Sequence, residues 1–137
     1  IRHKQLQASI ALADACPNTM IVLDHIAKPN IAAGLMQPWA DQILPLAKRE
    51  NVLCKLSGVA TEAGANWTAD TLRPYLEVAL QAFGPKRLMF GGDWPVSTLA
   101  ISYPTWVQIL DQLLSDLSQD EQRQIYRNTA HQFYRLG

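Results

Sequence analysis

Three short apolar runs set the frame of this chain: Met20-Ile21-Val22-Leu23, Val52 to Leu56, and Leu88-Met89-Phe90. The first runs apolar without alternation and is β-branched in its middle, the mark of a strand covered on both faces, as in parallel sheets. The ends of the three runs, near His25, Ser57 and Asp93, lie 32 and 36 residues apart. That spacing suits successive βα units of about 30 or more residues.

The segments between carry helical periodicity. Lys4 to Ala15 places Leu6, Ile10 and Ala13 on one stripe and stops at Pro17-Asn18. Pro38 opens a second helix at its first position, with Trp39, Ile43, Leu46 and Ala47 together. Ala69 to Phe83 predicts a third, closed by Gly84-Pro85. Pro104 opens another through about Leu114, and Ser118-Gln119-Asp120-Glu121 has capping-box form at the start of a last helix toward Tyr134. The prediction is an α/β chain with a parallel sheet, strands near 20–25, 52–57 and 88–93, and one domain over residues 1–137.

Twelve basic against twelve acidic residues leave a formal net charge of zero. The chain therefore has no electrostatic footprint for nucleic acid or an anionic membrane, and a small molecule is the expected partner. No apolar stretch reaches the roughly 18 residues of a membrane span. Cys16 and Cys54 are far apart, with Cys54 inside a strand pattern, which favours reduced thiols and a cytoplasmic setting. A first residue of Ile rather than Met leads to the expectation that the chain begins inside a larger protein.

In a parallel βα array the site gathers at the carboxyl ends of the strands. The first end offers Asp24-His25 and then Lys28; the second Lys55, Ser57-Gly58 and Thr61-Glu62; the third Gly91-Gly92-Asp93-Trp94-Pro95. Asp93 reads as a catalytic carboxylate, because glycine before it lets a ligand approach and proline after it ends the pairing. Its plain alternative is a cap on the turn that follows. His25 is either half of a general-base or metal-ligand pair with Asp93 or a core histidine bonded to Asp24. Lys55 either reaches the mouth or snorkels between helices. Trp94 either stacks on substrate or plugs the end of the sheet, and His3 either follows an earlier strand or is a loose terminal residue. Trp39, Trp106 and Phe133 fall on helical stripes and are expected in the core, and His131 is expected to be structural. No nucleophile elbow or phosphate loop is present, so covalent and phosphoryl-transfer chemistry fall behind.

The strand tips Ile21 to Pro29, Val52 to Gly58 with Thr61-Glu62-Ala63, Leu88 to Pro95, and the ending Asn128 to Leu136 together resemble the amidohydrolase-related (amidohydrolase 2) family. Within it the likeness is to sugar-lactone hydrolases of the L-fuconolactonase and L-rhamnonolactonase type, with 2-pyrone-4,6-dicarboxylate lactonase more distant. The resemblance implies a (β/α)₈ TIM barrel of which this chain supplies the last three βα units. It implies His25 at the end of the sixth strand, as a substrate or metal histidine, and Asp93 at the end of the eighth, deprotonating the hydrolytic water. His3 would lie just after the fifth strand, and His3, Lys28, Lys55 and Trp94 would hold substrate. One divalent metal, zinc, would be bound by His25 and Asp93. Ala27 stands where the family usually has Gly, and Gly92 where it often has Ser.

Such barrels run to about 250 residues, and the superfamily's first-strand His-x-His pair has no counterpart here. The expectation is a C-terminal half-barrel, inactive, poorly stable or dimeric alone, whose partner is a missing N-terminal half or a second copy. A metal-dependent decarboxylase of the same family and an inactive remnant are the alternatives to lactone hydrolysis.

Overall fold

The computed structural model describes residues 1–136. Three strands, β1 (Ile21–Leu23), β2 (Val52–Leu56) and β3 (Leu88–Phe90), form one sheet in the order β1-β2-β3. Both ladders are parallel, with Leu23 opposite Cys54, and Lys55 opposite Met89. All three strands stop short of the spans expected from the sequence, 20–25, 52–57 and 88–93. Beyond Leu23 the chain leaves the ladder in a tight turn over Asp24–Ala27, and beyond Phe90 it enters the glycine pair.

Helices α1 (Leu6–Ala15), α2 (Trp39–Ala47), α3 (Ala69–Phe83) and α4 (Tyr103–Leu113) alternate with the strands. Pro38 stands at the N-cap of α2 rather than at its first position, and Pro104 follows Tyr103 into α4 behind a Ser102 cap that accepts from the Thr105 N–H. The last helix comes in three parts. The predicted capping box at Ser118 and Glu121 starts α5 (Gln119–Arg123), a wider π turn spans Gln124–Asn128, and α6 (Thr129–Tyr134) completes it.

The two faces of β2 have different fates. Val52, Cys54 and Leu56 belong to the core beneath the helices, along with Trp39, Ile43 and Leu46 of α2 and Leu72, Leu76 and Ala79 of α3. Burying each such Leu or Ile contributes about 1.5–3 kcal/mol. Leu53, Lys55 and the following Ser57 face the other way. Phe133, expected in the core, is only half-buried: the end of α6 carries it to this second face, where it lines a cleft with Leu53 and Met20. Trp39 and Trp106 are buried as expected. Cys16 and Cys54 are free thiols, and burial pushes the Cys54 thiol far up. Among the described residues no helix is long and apolar enough to cross a membrane.

Arg87 locks the entry to β3. Its Nη1 donates to the carbonyls of Ala47 (2.7 Å), Arg49 (3.1 Å) and Val52 (3.2 Å), while its guanidinium lies over the Phe83 ring. These carbonyls come from the end of α2 and the turn into β2, so one cation ties two βα units together. Arg87→Met is expected to lower stability by about 2 kcal/mol or more, since charged hydrogen bonds contribute about 1.5–3 kcal/mol each. Urea denaturation reads this; a loss under about 0.5 kcal/mol would mean that water serves the carbonyls equally well.

Candidate active site

The tip of β1 holds an unusual backbone. His25, Ile26, Ala27 and Lys28 all have positive φ (53°, 44°, 61° and 50°). Left-handed geometry costs an L-residue about 1–2 kcal/mol, and such strain gathers where surrounding structure over-determines the chain. The surroundings are specific here. Trp39 Nε1 donates to the Ile26 carbonyl at 2.7 Å, His3 Nδ1 donates to the Lys28 carbonyl at 2.9 Å, and the Lys28 N–H closes the turn onto the His25 carbonyl. Asp93, at the tip of β3, also has positive φ (50°).

This turn projects His25 across the strand ends. Its Nδ1 lies 2.7 Å from the hydroxyl of Ser57, which is fully buried. Its Nε2 lies 3.6 Å from Asp93 Oδ1 and 3.8 Å from Asp24 Oδ2. A lone pair on Nε2 would face two carboxylates, so the favoured tautomer has Ser57 donating to Nδ1 and the proton on Nε2. Gly58 makes room for the ring: with φ of +63°, a Cβ there would stand 2.7 Å from His25 Nδ1.

Next to the imidazole, Lys55 Nζ reaches Asp24 Oδ1 at 2.7 Å. Asp24 Oδ1 is buried and meets no other donor. At that distance the charge attraction holds the pair. Lys55 thus reaches the mouth rather than the helices. Gly91 permits its passage, since a Cβ there would lie 2.8 Å from the Lys55 stem and 2.9 Å from Ser57 Cβ. Burial works against the charge of both partners, yet it is outweighed. Lys55 and His25 hold the Asp24 carboxyl below its ordinary range, and Asp24 with Tyr134 holds Lys55 above its own.

Asp93 has one buried oxygen, Oδ2, without a hydrogen-bond partner. A buried acceptor left unmade costs about 1–3 kcal/mol, and here it belongs to a carboxylate whose other oxygen lies 3.6 Å from His25 Nε2. Lys28 is drawn to the rim, where Glu62 holds both it (3.1 Å) and Arg2 (3.0 Å). His3 bonds the turn from outside, so its imidazole meets backbone. Trp94 is 72% exposed and plugs nothing. His131 stays on α6, away from this cluster.

The structure therefore gathers His25, Asp93 and Lys55, and adds Asp24 and Ser57, which the sequence reading offered at the strand ends without a catalytic or binding role. The signal for Ser57 was present, since it shares the Lys55 face of β2; Asp24 comes beside Lys55 only through the parallel register of two strands. As to metal, His25 Nε2 and Asp93 Oδ1 could serve one ion. A catalytic zinc takes three protein ligands, and the described residues hold no group of three His, Cys, Asp or Glu fit for one. Asp24 is engaged by Lys55. The residues present fall one ligand short of a complete site.

Comparison with known proteins settles the lineage. The family model described as Amidohydrolase matches residues 1–136. The chain belongs to the amidohydrolase family. It is 38% identical to an L-fucono-1,5-lactonase of Burkholderia ambifaria over 99% of this chain and 48% of that one. An L-fucono-1,5-lactonase of Burkholderia multivorans is 40% identical over 85% of this chain and 43% of its own length. Superposed on a crystal structure of a Burkholderia multivorans amidohydrolase with bound zinc, all of this chain matches 51% of that one, with TM-score 0.94 and 34% identity. This amidohydrolase chain thus spans about half the length of the curated relatives it matches, and its three βα units are part of a TIM barrel.

Two measurements probe the geometry. Gly58 and Gly34 share nearly the same φ, but a Cβ at Gly34 meets nothing within 4 Å. Gly34→Ala is expected to cost only the left-handed penalty of about 1–2 kcal/mol, and Gly58→Ala more, with displaced His25 ring protons in NMR spectra; equal costs and unmoved protons would show that the ring has slack. For the ion pair the sign follows from the two shifts. Asp24 is lowered, so its contribution is present above the ordinary carboxylate pKa of about 3.9 and lost as acid passes the folded value. Lys55 is raised, so its part is present below about 10.4 and lost above the folded value. The stability advantage of wild type over Asp24→Asn should be flat between those limits and shrink on both sides; a flat difference down to pH 2 would refute the pair.

Proposed function

We propose that this chain carries the proton-transfer half of a lactonase active site, in which a water opens a sugar lactone or a similar cyclic ester. The observation that carries it is the Asp93 carboxylate on a strained strand tip, with Oδ1 3.6 Å from His25 Nε2 and a buried Oδ2 that no donor holds. A carboxylate that no donor holds keeps its basicity and can receive a proton from water.

In this reading a water oxygen attacks the lactone carbonyl carbon as the Asp93 carboxylate takes its proton. His25 Nε2–H donates to the carbonyl oxygen while that atom becomes negative, with Ser57 fixing the tautomer. When the ring C–O bond breaks, the departing alkoxide recovers the proton from Asp93, and the product is an open hydroxy acid. Lys55, charge-balanced by Asp24, faces the substrate's polar side, and Lys28 and Trp94 line the rim. Zinc, if a ligand from outside this chain completed a site with His25 and Asp93, would polarise the same carbonyl; no step above needs it. The likeness to two L-fucono-1,5-lactonases favours a sugar lactone.

Turnover on this reading belongs to an assembly that includes the remaining barrel strands, from an N-terminal half or a second copy. The test joins this chain to the N-terminal half of the Burkholderia ambifaria relative and follows proton release from L-fucono-1,5-lactone, with and without chelator. Asp93→Asn should lower kcat by about 10²-fold or more with lactone binding kept. Retained turnover would remove Asp93 from the reaction, and release of carbon dioxide instead of lactone opening would favour a decarboxylase.

A further inference from the structure

Two tryptophans expected only to fill the core also make polar bonds that filling does not require. Trp39 opens α2, and Trp106 lies in the first turn of α4. They are 1% and 3% exposed. Each turns its indole N–H back to the strand tip that its own helix follows. Trp39 Nε1 donates to the Ile26 carbonyl at 2.7 Å, and Trp106 Nε1 to the Gly91 carbonyl at 2.9 Å. Ile26 directly follows His25, and Gly91 stands two residues before Asp93.

The Ile26 carbonyl lies in the left-handed turn beyond the ladder, and the Gly91 carbonyl lies just past the last bond of its ladder, from the Gly91 N–H to the Leu56 carbonyl at 3.0 Å. The turn after β1 keeps four consecutive left-handed residues, each disfavoured by about 1–2 kcal/mol. A backbone bond from the Lys28 N–H to the His25 carbonyl closes the turn. If the peptide at Ile26 relaxed, the Cα–Cβ bond of His25 would swing with it and the imidazole would leave Ser57. The glycine pair before Asp93 has the same weakness, because glycine imposes no dihedral preference of its own.

We propose that Trp39 and Trp106 are positioning residues, whose indole N–H groups set the aim of His25 and Asp93 through the Ile26 and Gly91 carbonyls. Each helix thereby fixes the reacting group of the strand before it. A use for this aim rests on the lactonase reading above, but the aim itself can be measured without turnover.

The test uses this chain, labelled with ¹⁵N and ¹³C, and long-range proton–nitrogen spectra that report the tautomer of each imidazole. Wild type should show His25 as one tautomer, protonated at Nε2. In Trp39→Phe, which keeps an aromatic ring but loses the N–H, the His25 signals should move toward the average of two tautomers. Trp106→Phe should leave those signals in place and shift the Asp93 carboxyl carbon. If Trp39→Phe loses native dispersion, site-specific 3-benzothienylalanine at position 39 replaces it, since sulfur stands for the N–H in the same shape. Lower stability with the His25 and Asp93 signals superimposable on wild type would overturn the proposal, leaving the indoles as packing alone. Unfolding of the isostere would overturn it too, because the bond would then be a condition of folding rather than of aim. Lactone hydrolysis could fail in the joined barrel while these signals behaved as expected, so the two readings stand or fall separately.

Discussion

Parallel pairing in a fixed register is the constraint on which everything else in this molecule depends. Because β1, β2 and β3 run the same way, their carboxyl ends stand side by side, and residues far apart in sequence become neighbours at about 5 Å spacing. One residue of slip would turn Lys55 into the helix-covered core and Cys54 toward the site. The register holds because Val52, Cys54 and Leu56 are required beneath the helices. Hydrophobic burial on one face thus fixes the charge arrangement on the other.

The site itself is built against local preference. Left-handed residues and half-buried charges each cost free energy, and each is met by a contact from another element: Ser57 for His25, Lys55 for Asp24, and two indoles for the backbone; the acceptor at Asp93 Oδ2 is left open. Glycine enters where atoms must pass closely. At Gly58 and Gly91 the missing Cβ is the space occupied by the His25 ring and the Lys55 stem.

The fold was legible because it follows from patterns of short range. β2, α3 and β3 lie where apolar runs and a proline–glycine boundary place them, and Ser118 and Glu121 form the capping box that their spacing announces. The strand tips also marked His25 and Asp93 as a pair, since both end apolar runs. What stayed illegible depends on register and on the path of the backbone. The partnership of Lys55 with Asp24 needs the alignment of two strands. The turn at His25 needs dihedral angles that Ile26, β-branched and ordinarily unsuited to positive φ, does nothing to advertise. Phe133 was read as core from its stripe, but the π turn at Gln124–Asn128 shifts the helical phase ahead of it. Trp39 and Trp106 were rightly placed inside, while their N–H bonds, which periodicity cannot encode, went unseen.

The left-handed turn carries a last consequence, for the order in which the structure can come together. A segment with no intrinsic liking for its conformation cannot nucleate anything; it adopts its shape only after its clamps have arrived. Those clamps come from α2, from the segment before α1 and from the residue after β2. The sheet and its covering helices must therefore be assembled before the imidazole has a fixed direction. Reactive geometry in this chain is a late product of tertiary structure, and it is the first thing to be lost when that structure loosens.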